Sequence, residues 1–172
     1  EFSKLVTTQN NVILGFHRLA INGLNETSNQ PLNVNGITLI CNGEIYNYQE
    51  LYKLMNVEPT TQSDCEVIIH CYQKFGINYT LDILDGVFAF ILIDNQRGEL
   101  YVGRDVYGVR PLFYSFQDLT KRKYYSKDLP EIIDLIKRNV NLIKGTIINT
   151  QLLNDGFDFL ILGNYFERAD FT

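Results

Sequence analysis

Seven consecutive apolar residues, Val87-Phe88-Ala89-Phe90-Ile91-Leu92-Ile93, constrain this chain more than any other feature. A run with no polar alternation, rich in branched and aromatic residues, reads as a strand buried on both faces. It is far short of the ~20 residues a membrane helix needs. Such a strand must be covered on each side by the rest of the chain. Asp85-Gly86 opens it, residues 94–98 read as a turn, and residues 99–103 return as its hairpin partner.

The other segments supply the cover. Residues 12–21 open with an apolar run and read as a strand broken at Asn22-Gly23. Residues 34–41 read as strand around an Asn35-Gly36 hairpin turn. Tyr48, Leu51, Tyr52 and Met55 recur at helical steps, which predicts a short amphipathic helix over 47–55. The strongest helix signal spans 63–75, with Ser63 and Glu66 as a capping box. Its apolar face is Val67, Ile68, Cys71, Tyr72 and Phe75, and Gly76 closes it. A further short helix is expected over 78–84. Later strands are expected over 112–116, 123–126, 143–148 and 157–162, with a helix over 129–137. Hairpin strands with helices clustered between them predict an α+β domain built on antiparallel sheet.

One stretch carries chemistry: Leu39-Ile40-Cys41-Asn42-Gly43-Glu44-Ile45-Tyr46-Asn47. Its apolar approach reads as a buried strand that ends at the turn dipeptide Asn42-Gly43. A side-chain amide beside an unencumbered N–H can hold a developing oxyanion. A carboxylate two residues on can hold a cationic group of the same substrate. Taken alone, the nonapeptide also fits a hairpin turn with a polar tip.

Charge and composition exclude several classes. The net charge is -5, the pI is near 5.0, and the only basic clusters are Lys121-Arg122-Lys123 and Lys137-Arg138. A nucleic-acid surface needs more than that. Cys41, Cys65 and Cys71 sit inside apolar patterns and read as reduced, buried thiols. With no signal peptide to read, a cytoplasmic location is expected.

Five motifs occur in order: Gly15-Phe16-His17-Arg18-Leu19-Ala20, Asn42-Gly43-Glu44-Ile45-Tyr46-Asn47, Ser63-Asp64-Cys65-Glu66-Val67-Ile68, Leu84-Asp85-Gly86-Val87-Phe88-Ala89-Phe90, and Gly103-Arg104-Asp105-Val106-Tyr107-Gly108-Val109-Arg110-Pro111-Leu112. Together they resemble the glutaminase domain of glutamine-hydrolysing asparagine synthetase, a class II glutamine amidotransferase and N-terminal-nucleophile hydrolase. The resemblance implies a four-layer αββα sandwich of two antiparallel sheets, here N-terminally incomplete. It implies one amidotransferase domain over 1–172, with its core at about 12–149 and a tail, 150–172, leading towards a synthetase domain. It also implies roles. Arg18 matches the arginine on the substrate α-carboxylate, and Glu44 and Asp64 match the carboxylates on its α-ammonium. Asn42 and the Gly43 N–H match the oxyanion hole, and Ile21 matches part of the pocket wall. Arg104, Asp105 and Arg110 are expected to hold their loop through ion pairs. By themselves, Arg18 also fits an exposed strand residue and Asp64 a helix-start residue.

The resemblance implies glutamine as substrate, the synthetase domain as partner, and no cofactor in this domain; ATP and magnesium belong to the synthetase half. It leaves oligomerisation open. The family's nucleophile is an N-terminal cysteine whose amine serves as base, whereas this sequence begins at Glu1. The 172 residues alone are therefore expected to be inactive. The alternatives are a non-catalytic glutamine-sensing or docking protein with this fold, and another class II amidotransferase.

Overall fold

The computed structural model describes residues 2–7, 13–18, 24–110, 112–114, 141–142 and 148–150, with side chains for 14–16, 24–110 and 112. Strands β1 (Phe2–Thr7) and β2 (Ile13–Arg18) form an antiparallel pair with Phe2 opposite Arg18. Strand β3 (Leu32–Val34) turns into β4 (Ile37–Ile45) through Asn35 and Gly36. Both turn residues have positive φ, as a tight hairpin requires. Helix α1 (Tyr48–Met55) follows, then a single 3₁₀ turn (Asp64–Glu66), α2 (Val67–Phe75) and α3 (Ile77–Ile83). The apolar run lies in β5 (Gly86–Asp94), which pairs with β6 (Glu99–Arg104). Short strands β7 (Phe113–Tyr114), β8 (Asn141–Leu142) and β9 (Ile148–Thr150) complete the described elements.

The main sheet is antiparallel with order β3-β4-β5-β6-β9, so β5 is central, as its sequence demands. Alternation along β5 splits its side chains between two cores. Phe88, Phe90 and Leu92 pack with Leu51, Tyr52, Met55 and the residues of α2. Ala89, Ile91 and Ile93 pack with Leu14, Leu112 and the half-buried Phe16. A helical layer therefore covers one face, and β2 of a second antiparallel pair packs on the other. The class is α+β, as expected. The expected elements over 123–126, 129–137 and 157–162 lie outside the described residues.

Two local readings change. Strand β4 does not stop at Asn42-Gly43. It runs on to Ile45, paired residue for residue with β5 down to Ile45 opposite Gly86. Long-range pairing overrides the local turn preference of Asn-Gly. The second change concerns the capping box. Ser63 makes no side-chain cap bond. The Glu66 carboxylate turns the other way and accepts from Thr60 N–H and Oγ1–H at 2.8 Å and from Thr61 N–H at 2.6 Å. His70 Nε2 lies 3.0 Å from the same group. Glu66 is fully buried, so a charge there must be met by donors. Helix α2 is buried from Val67 to Tyr72, which is why its polar residues pair internally.

Burial pushes the Glu66 carboxyl up, but the bonds from His70, Thr61 and Thr60 outweigh it and hold the group at about 2. Against an ordinary value of 4.5 this corresponds to about 3 kcal/mol of stability. A depressed folded value means that this stability is present above pH 4.5 and disappears as the pH falls towards 2. Urea midpoints measured against pH should show this loss in the wild type. In Glu66→Gln the protein should be less stable by roughly 1–3 kcal/mol at pH 7 and should lack that acid-dependent loss.

Candidate active site

The site grows from the edge of β4. Its even-numbered residues exchange ladder bonds with β5, bracketed by Tyr46 N–H to the Asp85 carbonyl at 2.7 Å and Asn95 N–H to the Gly36 carbonyl at 3.2 Å. Its odd-numbered residues therefore turn their peptide groups to the opposite edge. There β3 reaches only as far as Leu39, opposite Leu32. Beyond it, the peptide groups of Cys41, Gly43 and Ile45 face off the sheet.

Side chains take over where the strand ends. The Gln30 carboxamide donates to the Cys41 carbonyl at 2.9 Å and accepts from the Cys41 N–H at 2.6 Å. The Cys65 thiol lies 3.9 Å from the Gly43 carbonyl. Asp64 Oδ2 accepts from the Ile45 N–H at 2.7 Å. Between the Cys41 and Gly43 carbonyls the Gly43 N–H points off the same edge.

The side chains of Asn42 and Glu44 leave the face they share with Ile40, towards the layer that holds Leu14 and Phe16. Asn42 is half-buried and Glu44 exposed. Asp64 is buried beside them. Its carboxyl is pushed up, first by burial and then by the charge of Glu44, against opposing bonds from backbone N–H groups. The structure thus brings Asn42, Gly43, Glu44 and Asp64 to one place. Two carboxylates and a glycine N–H there could take a cationic group and an oxyanion of one small ligand.

For Arg18 only the backbone is described, at the end of β2. Ile21 lies outside the described residues. The thiols of Cys41, Cys65 and Cys71 are free and buried. Cys65 is pushed well up by the neighbouring Cys41 thiol and by burial, and burial alone pushes Cys71 up to about 12. Neither presents a thiolate nucleophile.

Two positioning groups were not marked by the sequence. Gln30 is one. The other is Asn47, whose amide donates to the Ile83 carbonyl at 2.8 Å and accepts from Asp85 N–H at 3.0 Å. It ties the start of β5 to the end of β4. In the 103–112 segment, where ion pairs are expected, the described bonds of the Asp105 carboxylate are to backbone N–H groups. Asp105 accepts from Val109 N–H at 3.0 Å, Arg110 N–H at 3.3 Å and Phe88 N–H at 3.2 Å. Burial raises this carboxyl, but those bonds leave it below its usual range. The Arg104 guanidinium donates to the Gly108 carbonyl. The role is structural: Asp105 fastens the loop to Phe88, opposite Gly43.

A cavity of about 960 Å³ opens on the helical side, between α3, the start of β5 and residues 103–107. None of Asn42, Gly43, Glu44 and Asp64 lines it. Among the described residues, no helix is long and apolar enough to cross a membrane.

The chain matches the glutamine amidotransferase domain family over residues 3–144. It is 44% identical over 110 residues to the human asparagine synthetase (glutamine-hydrolysing), covering 60% of this chain and 19% of that protein. The bovine asparagine synthetase is 46% identical over 107 residues, with the same coverage. The chain thus spans about a fifth of the length of these curated relatives. Among solved structures it resembles the glutamine phosphoribosylpyrophosphate amidotransferase of B. subtilis, with TM-score 0.59 and 21% identity over 88% of this chain and 34% of that one. That likeness speaks to the fold alone.

The raised carboxyl of Asp64 has a consequence for stability. A group held more tightly protonated when folded favours folding below pH 3.8, and this contribution is lost as the pH rises through its folded value. At pH 7 its charge is a cost. Asp64→Asn keeps an acceptor for the Ile45 N–H and removes that charge. Chemical denaturation should find it as stable as the wild type or more so at pH 7, with the difference moving against the variant at pH 3. A variant equally destabilised at both values would show that the charge costs nothing.

Proposed function

The chain belongs to the glutamine amidotransferase domain family, and from that premise we propose that it is the glutaminase half of a glutamine-hydrolysing asparagine synthetase. The observation that carries this reading is the convergence at the edge of β4. Asn42, the off-sheet N–H of Gly43, Glu44 and Asp64 meet there, inside the span that matches the amidotransferase family.

Glutamine matches that set of groups. Its side-chain amide becomes a tetrahedral oxyanion when attacked, and Asn42 with the Gly43 N–H supplies two donors for it. Its α-ammonium is held by Asp64 and Glu44. An ammonium beside them lowers the raised carboxyl of Asp64, so binding favours the charged pair. Its α-carboxylate is assigned to Arg18, whose guanidinium can give two parallel hydrogen bonds, and Ile21 is assigned to the pocket wall. The nucleophile is the family's N-terminal cysteine, with its own amine as base, and the intermediate is a thioester. The released ammonia passes to a synthetase domain, which uses ATP and magnesium to form asparagine. The glutaminase half calls on no cofactor of its own, and its place is the cytoplasm.

Glutamate release from glutamine by the native full-length protein tests the assignment. Asn42→Ala should lower kcat by roughly 10²–10³-fold with little change in KM, the signature of an oxyanion donor. Arg18→Ala should act differently, raising KM about ten- to over a hundred-fold through one lost charge-assisted contact. Wild-type turnover in Asn42→Ala would reject the oxyanion assignment.

A further inference from the structure

We infer that Gln30 is a positioning residue for glutamine hydrolysis: its buried carboxamide replaces a missing strand beside Cys41 and thereby holds Asn42 and the Gly43 N–H in register. The inference rests on the glutaminase reading and extends it to a residue outside the assigned site.

Register carries it. Leu32 lies opposite Leu39 and Val34 opposite Ile37, so the next position on the β3 side, opposite Cys41, is residue 30. Strand β3 begins only at Leu32. The Gln30 side chain makes the pair that a backbone would make. It donates to the Cys41 carbonyl at 2.9 Å and accepts from the Cys41 N–H at 2.6 Å. Gln30 is 5% exposed, so its amide sits inside the protein. A carboxamide has the donor and acceptor of a peptide group in the same plane, and no other side chain of this length offers both without a charge.

The Cys41 carbonyl belongs to the peptide plane that ends at the nitrogen of Asn42. Fixing that plane fixes the origin of the Asn42 side chain and, one peptide on, the direction of the Gly43 N–H. Oxyanion donors must lie 2.7–3.1 Å from the oxygen, and an error of about 1 Å can cost about 10²-fold in rate. Substrate binding by Asp64, Glu44 and Arg18 does not pass through this plane. Loss of Gln30 should therefore weaken the transition state more than the bound substrate.

The test is steady-state glutamate release by the native full-length protein carrying Gln30→Met, Asn42→Ala, or both. Gln30→Met fills the same volume without either hydrogen bond. Its kcat should fall on the order of 10- to 100-fold while KM for glutamine stays within about threefold. The double variant should lose less than the product of the two single losses, because Gln30 acts partly through the Asn42 donor that Asn42→Ala has already removed. If Gln30→Met melts below the assay temperature, Gln30→Glu decides, since it keeps the acceptor for the Cys41 N–H and loses the donor to its carbonyl. It too should lose kcat with KM retained. Wild-type kcat in a folded Gln30 variant, or a loss that multiplies in full with that of Asn42→Ala, overturns the inference. A wild type without glutamate release, or an Asn42→Ala variant at full rate, sinks the glutaminase reading itself and this inference with it.

Discussion

Strand β3 ends before its partner does, and the site depends on that shortfall. Backbone N–H and C=O groups must be paired or wetted. Along β4 the side that faces β5 is satisfied throughout. On the other side the ladder stops at Leu39. Three different groups then meet the edge: a carboxamide at Cys41, a thiol at the Gly43 carbonyl and a carboxylate at the Ile45 N–H. A fourth strand residue in any of these places would close the sheet and remove the opening. The edge is thus protected against further pairing by side chains, which is how sheets avoid adding a stray strand. Among the described residues, the N–H on that stretch without a side-chain partner is that of Gly43, the group proposed to meet an oxyanion.

The 3₁₀ turn Asp64–Glu66 holds two buried carboxylates that behave in opposite ways. Glu66 has donors from Thr60, Thr61 and His70, and its charge is stabilised. Asp64 has fewer donors and a second carboxylate, Glu44, nearby, and its charge is a cost. The difference divides the labour. The satisfied carboxylate fixes the turn and the loop before it. The under-satisfied one has unused capacity for a cation. Environments that push neighbouring titratable groups apart are a recurring mark of functional sites.

Much of this was legible in the sequence, and the failures share one cause. The central β5, the Asn35-Gly36 hairpin, α1 and α3 follow from local periodicity and turn chemistry, and the structure has them. Asn42-Gly43 was read as a turn because nothing local shows that β5 would pair with it. Ser63 and Glu66 were read as a capping box because nothing local shows that residues 60–61 would offer better donors. Asp105 was expected in ion pairs because the spacing of charges is visible and the path of the backbone around it is not. Gln30 carried no signal at all, since its role exists only once the β3–β4 register is known. The grouping of Asn42, Gly43 and Glu44 follows from one short stretch and Asp64 joins it by resemblance; in the structure Asp64 accepts from the Ile45 N–H of the same strand. For Arg18 only the backbone belongs to that picture.

Gly43 shows why structural and catalytic readings of one residue need not compete. A Cβ added there would lie 2.2 Å from the Val87 carbonyl oxygen and 2.5 Å from Phe88 Cα. One added at Gly86 would lie 2.2 Å from the Glu44 carbonyl oxygen. These contacts are with backbone, which cannot step aside as a flexible side chain can. The two glycines let β4 and β5 approach more closely than any side chain allows. That approach pulls the end of β4 towards β5, while Asp64 and Gln30 hold its other edge. The peptide plane of Gly43 is therefore gripped from both sides with no side chain of its own in the way. A bulkier residue would strain the sheet and move the N–H by the same displacement. The absence of a side chain thus serves packing and, in the proposed reaction, the oxyanion donor through one geometric requirement.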